Sequence, residues 1–412
     1  MLIYLDNSAT TRQYDQVTTE MVRAMESDYG NPSSLHRLGL SAEKLVRQAR
    51  KEIARSIGVD DDEIFITSGG TEADNAAILG IAFSRRRSGN KIITTKIEHP
   101  AVLESCKRLE RDGYDVVYLD VDKNGVVLID QLKREIDHET ILISIMHVNN
   151  EIGTIQPIEE IYRIKEEWNK ENDSDILLHV DAIQSYGKLN LCGLHAELIS
   201  LSGHKVHGPK GIGALYNKKG IRLDPIILGG GQEKGQRAGT ENVPAISGFC
   251  VAAAKIINDQ GKAARRIKSM KENLIFKISQ RINDIKINGN YGDWNSNATD
   301  ANESNNSEAG FSKIDLNLTS PSILNVSFLG IRGEVLLHSL EQEGIYVSTG
   351  SACSSNKKGQ SNVLKEIGLN NMEIEGAIRF SLSEFNTQED IDFTVDMLVI
   401  IVNKMRKLSS FR

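Results

Sequence analysis

From Glu63 onward, short apolar runs alternate with longer stretches in which apolar positions recur every three or four residues. EIFITS, KIITT, DVVYLDV, ILISIMHV and DILLHVD predict strands, and their near-continuous apolar content suits a sheet covered on both faces. TEADNAAILGIAF, HPAVLESCKRLE and PIEEIYRIKEEW lie between them and predict helices. Such alternation predicts an α/β domain with a large, mostly parallel sheet, placed at residues 15–259. Residues 243–282 read as one long helical stretch that bridges to a second unit. There INDIKING, ILNVSFLG, IYVSTG and AIRFSLS predict strands, interspersed with the helices EVLLHSLEQEG and EDIDFTVDMLVIIVNKM. Residues 1–14 and 260–412 are therefore expected to form a smaller α+β domain. Within it, residues 289–310 are rich in Asn and Ser and hold too little apolar surface to repay ordering, so a mobile surface insertion is expected.

A chain of 412 residues exceeds one small core, which agrees with two domains. Hydrophobic residues at 40 % and charged residues at 25 % are ordinary for a soluble globular protein. The formal charge of -7 leaves no basic surplus to neutralise phosphates and argues against nucleic-acid binding. Arg85-Arg86-Arg87 closes a predicted helix, where cations favour the negative end of the dipole. No apolar run approaches a membrane span, and MLIYLDNSATT lacks the regions of a secretory signal. The four cysteines, Cys106, Cys192, Cys250 and Cys353, form no C-x-x-C pair, which weakens zinc and disulfide readings and makes a reducing cytoplasm the expectation. Cys106 shares a helical face with Val102 and Leu109, and Cys250 lies among apolar residues; both read as inert core thiols. Cys353 differs, because VSTGSACSS surrounds it with small residues that cannot bury or fix it.

Ligands of α/β sheets bind at the carboxyl ends of the strands, where several polar residues stand. In TSGGTEADN a predicted strand runs through two glycines into a helix, an arrangement that lets N–H groups and the helix dipole meet a phosphate. Taken alone, a capping box of Thr71 with Asp74 explains it better. Asp181 ends the strand of LLHVDAIQS with Gln184 one turn later, and a helix-capping Asp is an equal reading. His99-Pro100 joins a strand to a helix, as a cap with Pro in the first turn also would. SLSGHKVHGPKG has the G-x-x-x-x-G spacing of a nucleotide loop, but Pro209-Lys210 follows instead of Lys-Ser or Lys-Thr, and proline removes a needed N–H. A lysine among hydroxyl, histidine and glycine fits a Schiff base to an aldehyde cofactor with a phosphate arm. Pyridoxal phosphate (PLP) would use the lysine, the Asp and the Gly-rich turn together.

LDNSATT, GNPSSLH, SGGTEADN, EHPAV, HVNNEIGTIQPI, HVDAIQS, SGHKVHGPKGIGALY, QRAGTENVPAI, SGSAC and IRFSL occur in this order along the chain. With them the sequence resembles the cysteine desulfurases of the NifS/IscS type, PLP enzymes of fold type I (aspartate aminotransferase-like) in the class-V aminotransferase family. The likeness covers nearly the whole chain apart from the Asn-rich tract. It implies that Lys205 forms the Schiff base and shuttles protons, and that Asp181 pairs with the pyridinium nitrogen. Gln184 and Asn150 would bond the phenolic oxygen side, with Asn150 also at the substrate. His99 would stack on the ring and exchange protons. Gly70, Thr71, Ser202, Gly203 and His204 would hold the cofactor phosphate. Thr240 would reach the phosphate of a neighbouring subunit, which implies a homodimer. Arg379 would bind the substrate carboxylate, and in AIRFSLS the alternation of Ile378, Phe380 and Leu382 leaves it on the opposite face, toward a cavity. Cys353 would attack the sulfur of L-cysteine and carry it as a persulfide to an iron–sulfur scaffold or a tRNA-thiolation enzyme. Its loop of small residues suits a thiol with two destinations. No metal site is expected beyond a transient iron–sulfur ligand role for Cys353.

The sequence departs from the family pattern in two places. Gln360-Ser361-Asn362 stands where the family usually has a Pro-Ser-His-like element, and Lys234 where it often has arginine. The expected activity is conversion of L-cysteine to L-alanine with sulfur passed on. Rival expectations are a selenocysteine lyase or other PLP C–S lyase, and a non-catalytic sulfur-transfer partner.

Overall fold

A computed structural model describes residues 2–259, 261–292, 314–349 and 361–409. Its large sheet has seven strands in the order Ile64–Thr67, Gly213–Asn217, Leu198–Ser202, Leu177–Asp181, Thr140–Met146, Lys91–Thr95 and Asp115–Leu119. All run parallel except Gly213–Asn217, which opposes both neighbours. Successive residues of a strand enter different cores. Leu178 and Val180 pack with Ile53, Ile161 and Phe249 of the helices Arg37–Ile57, Ile158–Asn172 and Val243–Asp259. Leu177 and Leu198 pack on the other face with Ile78 and Val102 of the helices Gly70–Ser84 and Pro100–Arg111. Coverage on both sides is why the inner strands read as apolar runs without alternation.

A third core surrounds a three-stranded antiparallel sheet, ordered Ala377–Ser381, Ile323–Phe328, Ile285–Asn288. The helices Lys262–Arg281, Gly333–Gln342 and Gln388–Ser409 cover it. Ile3 and Leu5 belong to this core, and Ile3–Tyr4 pairs in parallel with Ile345–Tyr346. We propose residues 15–259 as one domain and 1–14 with 260–412 as the other. The separation of the cores supports that division, since the first two draw on Tyr14 to Ala253 and the third on residues 3–5 and 267–402.

The predicted strands are present, but the helical stretch 243–282 is two helices, Val243–Asp259 and Lys262–Arg281. Gly261 precedes the second with φ 74°, a left-handed conformation that a continuous helix cannot contain. The strands Leu198–Ser202 and Gly213–Asn217 and the helices Asp15–Ser27 and Arg37–Ile57 did not stand out in the sequence. Most of the Asn-rich tract lies outside the described residues.

The reversed strand matters to the site because it starts beside the turn that follows Thr67. A Cβ on Gly213 would lie 2.6 Å from Leu201 O and 2.7 Å from Gly69 C. Gly213→Ala must therefore push backbone against backbone, costing roughly 1–3 kcal/mol. The expected result is a lower thermal midpoint than wild type, measured by calorimetry.

Candidate active site

The carboxyl ends of the parallel strands deliver most of the candidate residues. Ile64–Thr67 passes through Ser68 and Gly69 into the helix Gly70–Ser84. Gly69 has φ 156° and ψ 179°, a conformation open to glycine alone, and no side chain caps the helix. The capping box of Thr71 with Asp74 is thus not what closes this turn. Glu72 reaches back instead, accepting from Ser68 N at 3.0 Å, and Arg237 Nε pairs with it at 3.0 Å. Gly70 packs so tightly that a Cβ would lie 2.1 Å from Ile183 Cδ1. Gly70, Thr71 and His204 line a cavity of about 400 Å³ with Thr10, Ser68 and Lys210. Thr240 lines an adjoining cavity of about 170 Å³, which shares Ser68 and Gly211 with the first.

Asp181 ends its strand beside Ser200, and its Oδ1 accepts from Ile183 N at 2.9 Å. Burial raises its pKa to about 6, against the pull of that N–H and of the Lys205 ammonium. Gln184 Nε2 donates to Ser8 O at 3.0 Å. Ser202 ends the next strand and leads through Gly203 into a tight turn holding His204 and Lys205. Ser202 Oγ and Gln184 Oε1 are buried with no hydrogen-bond partner among the described residues.

His99, a candidate site residue, is also a helix cap. Its Nδ1 accepts from Ala101 N at 3.2 Å, which assigns the ring proton to Nε2. Burial, and then the Lys205 ammonium, push its pKa down to about 4, so the imidazole is neutral near pH 7. Lys205 is thus close enough to act electrostatically on both His99 and Asp181.

Arg379 is 1 % exposed, and Ile378, Phe380 and Leu382 enter the core as the alternation requires. Its Nη1 donates to the backbone oxygen of Asn150 at 3.0 Å and its Nη2 to Asp6 Oδ1 at 2.8 Å. A buried guanidinium without an anion would be costly, and Asp6 supplies one.

Residues 6–11 are what the sequence reading missed. Lys205 Nζ donates to Ser8 O at 2.5 Å and Ala9 O at 2.8 Å, and Thr10 Oγ1 lies 3.1 Å from His204 Nδ1. LDNSATT carried the family resemblance, but most of these contacts use backbone oxygens, which leave no trace in residue type. Cys353 lies outside the described residues. Of the cysteines that are described, burial pushes the Cys106 and Cys250 thiols up to about 12, and Cys192 is exposed.

The class-V aminotransferase family model matches residues 3–305 and 305–393. Cysteine desulfurase IscS of Dictyoglomus turgidum is 41 % identical over 412 residues, spanning 100 % of this chain and 97 % of that protein. The chain belongs to the class-V aminotransferases, in their cysteine desulfurase branch. A solved NifS-like protein superposes with a TM-score of 0.85 at 36 % identity, covering 98 % of this chain and 100 % of that one. The structure of SspA in complex with cysteine matches with a TM-score of 0.74 at 32 % identity, over 93 % and 100 % of the two chains. The family, the fold type and the enzyme class expected from the sequence are borne out, and class-V enzymes are generally PLP-dependent.

Within this desulfurase the neutral state of His99 has a consequence for stability. Its pKa falls from 6.5 to about 4 on folding, so the unfolded chain binds this proton more tightly. The stability it contributes is present above pH 6.5 and is lost as pH falls toward about 4. His99→Asn keeps a cap acceptor and removes the titration. The thermal midpoint of that variant should decline less steeply than wild type between pH 6.5 and 4, followed by circular dichroism.

Proposed function

We propose that the chain uses PLP to convert L-cysteine to L-alanine, holds the sulfur on Cys353 as a persulfide, and hands it to an acceptor protein. The observation that carries this reading is Lys205, set at the end of a parallel sheet where its charge reaches both Asp181 and His99. The residues fit PLP. Ser202 Oγ and Gln184 Oε1 are buried polar atoms lacking partners among the described residues, and Gly70, Thr71 and His204 line a cavity at a helix N-terminus suited to a phosphate. Glu72 borders that cavity, but Arg237 neutralises it.

Bound there, PLP supplies an electron sink for the carbon skeleton of the substrate. Asp181 would hold its carboxylate against the ring nitrogen, and Gln184 and Asn150 would bond the phenolic oxygen side. Lys205 would hold the cofactor aldehyde and then move a proton as a free amine. His99, already neutral, can accept a proton and give it back. Arg379 would take the substrate carboxylate in its planar fork. The Cys353 thiolate attacks the substrate sulfur, so that an S–S bond forms as the C–S bond breaks, and protonation of the carbon fragment gives alanine. An acceptor thiol then removes the outer sulfur.

The SspA complex with cysteine supports L-cysteine as substrate. Thr240 beside the phosphate end supports a homodimer in which it meets a second copy. We propose a cytoplasmic enzyme serving iron–sulfur assembly or tRNA thiolation; no helix among the described residues is long and apolar enough to cross a membrane.

Two measurements test this. Borohydride treatment followed by peptide mapping should find the cofactor label on Lys205; a label on Lys210 overturns the assignment. Incubation with L-cysteine should yield alanine, with Cys353→Ser retaining PLP yet producing no persulfide. Pyruvate and ammonia as the main products would mean elimination instead.

A separate test addresses ring electronics. Asp181→Asn conserves shape but removes the anion, so PLP should be retained while alanine formation falls by at least ~100-fold. Near-wild-type turnover would contradict the role given to Asp181.

A further inference from the structure

Arg379 and Asp6 form a lopsided pair. The side chain of Arg379 is 2 % exposed and that of Asp6 is 20 % exposed, so the carboxylate is the member that reaches accessible surface. Two of the five guanidinium N–H groups are engaged, one by Asp6 Oδ1 at 2.8 Å and one by Asn150 O at 3.0 Å. Nε is buried with no acceptor among the described residues. Donors remain unpaired among the described residues, but the guanidinium is sealed and the accessible edge of the pair is the Asp6 carboxylate, so a substrate carboxylate arriving from solvent meets Asp6 first. It can replace Asp6.

Three details favour replacement. Asp6 engages the guanidinium through one oxygen, whereas an arriving carboxylate can take two donors of the fork, the stronger arrangement. The backbone around Asp6 is fixed on the strand that carries Arg379: Asn7 N donates to Ser381 O at 3.1 Å and Ser381 N to Leu5 O at 2.7 Å. Only the Asp6 side chain needs to rotate. Finally, exchanging one anion for another never leaves the buried cation alone, which avoids the main cost of a site built around a sealed arginine.

We propose that Asp6 is the resting occupant of the carboxylate subsite of Arg379, and that substrate binds by carboxylate exchange. The proposal rests on Arg379 being the group that takes the substrate carboxylate. It makes Asp6 a specificity-determining residue. A molecule with an amine but no carboxylate gains nothing at this subsite, and one with a carboxylate must outcompete an internal rival.

The test compares wild type, Asp6→Asn, Asp6→Glu and Arg379→Ala as PLP-loaded enzymes. Asp6→Asn keeps the shape and an acceptor oxygen but loses the charge. Its KM for L-cysteine should fall about tenfold, and L-alanine, read from cofactor absorbance, should bind more tightly by a similar factor. Ethylamine, which is L-alanine without the carboxylate, should bind alike in both. Asp6→Glu restores the anion and should move KM back toward wild type. In Asp6→Ala, should the asparagine variant fold poorly, added acetate should raise the thermal midpoint more than it does in wild type. A raised KM in Asp6→Asn, or unchanged L-alanine affinity, overturns the exchange. Arg379→Ala separates the two readings: an unchanged KM there removes the role of Arg379 itself, whereas a raised KM keeps that role whatever Asp6 does.

Discussion

The backbone between Leu5 and Thr11 is pinned in two different cores, and the site is assembled along it. Leu5 belongs to the core of the small sheet, and Tyr14 to that of the large one. Between them, Asp6 meets Arg379, Ser8 N donates to Ser381 Oγ at 2.8 Å, and Ser8 O accepts from both Gln184 and Lys205. Thr11 N and Oγ1 both donate to His204 O, at 3.1 and 2.8 Å. One short strap, which turns at residues 7–9, thus sets the distance between the arginine of one sheet and the lysine of the other. A smaller apolar cluster, including Ile97, Ile152, Leu364 and Ile367, closes the same junction from another side. Apolar packing holds the two units together there, while the strap fixes their register.

Within that frame, Lys188, Lys205 and Lys210 gather near His204, while the carboxylates of Asp74, Glu98 and Asp181 are buried together. Asp74 and Glu98 are buried near Asp181; burial and the neighbouring carboxylates push Asp74 well up, and Glu98 rises to about 8. Asp74 has no hydrogen-bond partner on either oxygen among the described residues, and Glu98 Oε1 accepts from Thr95 Oγ1 at 2.7 Å and Met146 N at 3.0 Å. Carboxylates crowded in a dry pocket do not ionise together easily, so Glu98 holds its proton near pH 7 and Asp74 is pushed the same way. Asp181, at about 6, is left as the anion that a ring nitrogen would meet. The histidines follow the same logic. His179, fully buried between Ser144 Oγ and Ser200 Oγ, is held down to about 3, and His204 to about 4.

How much of this the sequence disclosed depends on which atoms carry each role. The inner strands were legible because burial on both faces demands unbroken apolar runs, as in ILISIMHV. Gly213–Asn217 was harder: GALYN has a small residue, a bulky one and a polar end, and its place between two strands follows from long-range pairing. Gly261 broke the long helix, though a lone glycine within a helical pattern is often tolerated. In the site, Lys205, Asp181 and His99 stood out because chemistry fixes their residue type. Ser8 and Ala9 act through carbonyl oxygens, which any residue provides. The seal on Arg379 was also hidden, because period-two alternation gives the face of a side chain and says nothing of what covers it.

The family departure at Gln360-Ser361-Asn362 can be weighed from its described part. Ser361 Oγ accepts from Leu364 N at 3.1 Å, capping the helix Asn362–Glu366, and donates to Glu151 Oε2 at 2.5 Å. Asn362 Nδ2 donates to Lys96 O at 2.7 Å. Glu151 is the neighbour of Asn150, whose carbonyl holds Arg379. At the other end, Ser348 and Arg379 exchange backbone hydrogen bonds at 3.2 and 2.7 Å. Both flanks of the segment that carries Cys353 are therefore anchored to residues in contact with Arg379 or one step from it. The serine that makes the cap is the part of the family element this chain keeps, and the residues on either side of it are the part that changed. Anchoring at this end thus rests on the Ser361 hydroxyl, the helix terminus it caps and the Asn362 amide on Lys96 O, which together keep the end of the segment near the arginine.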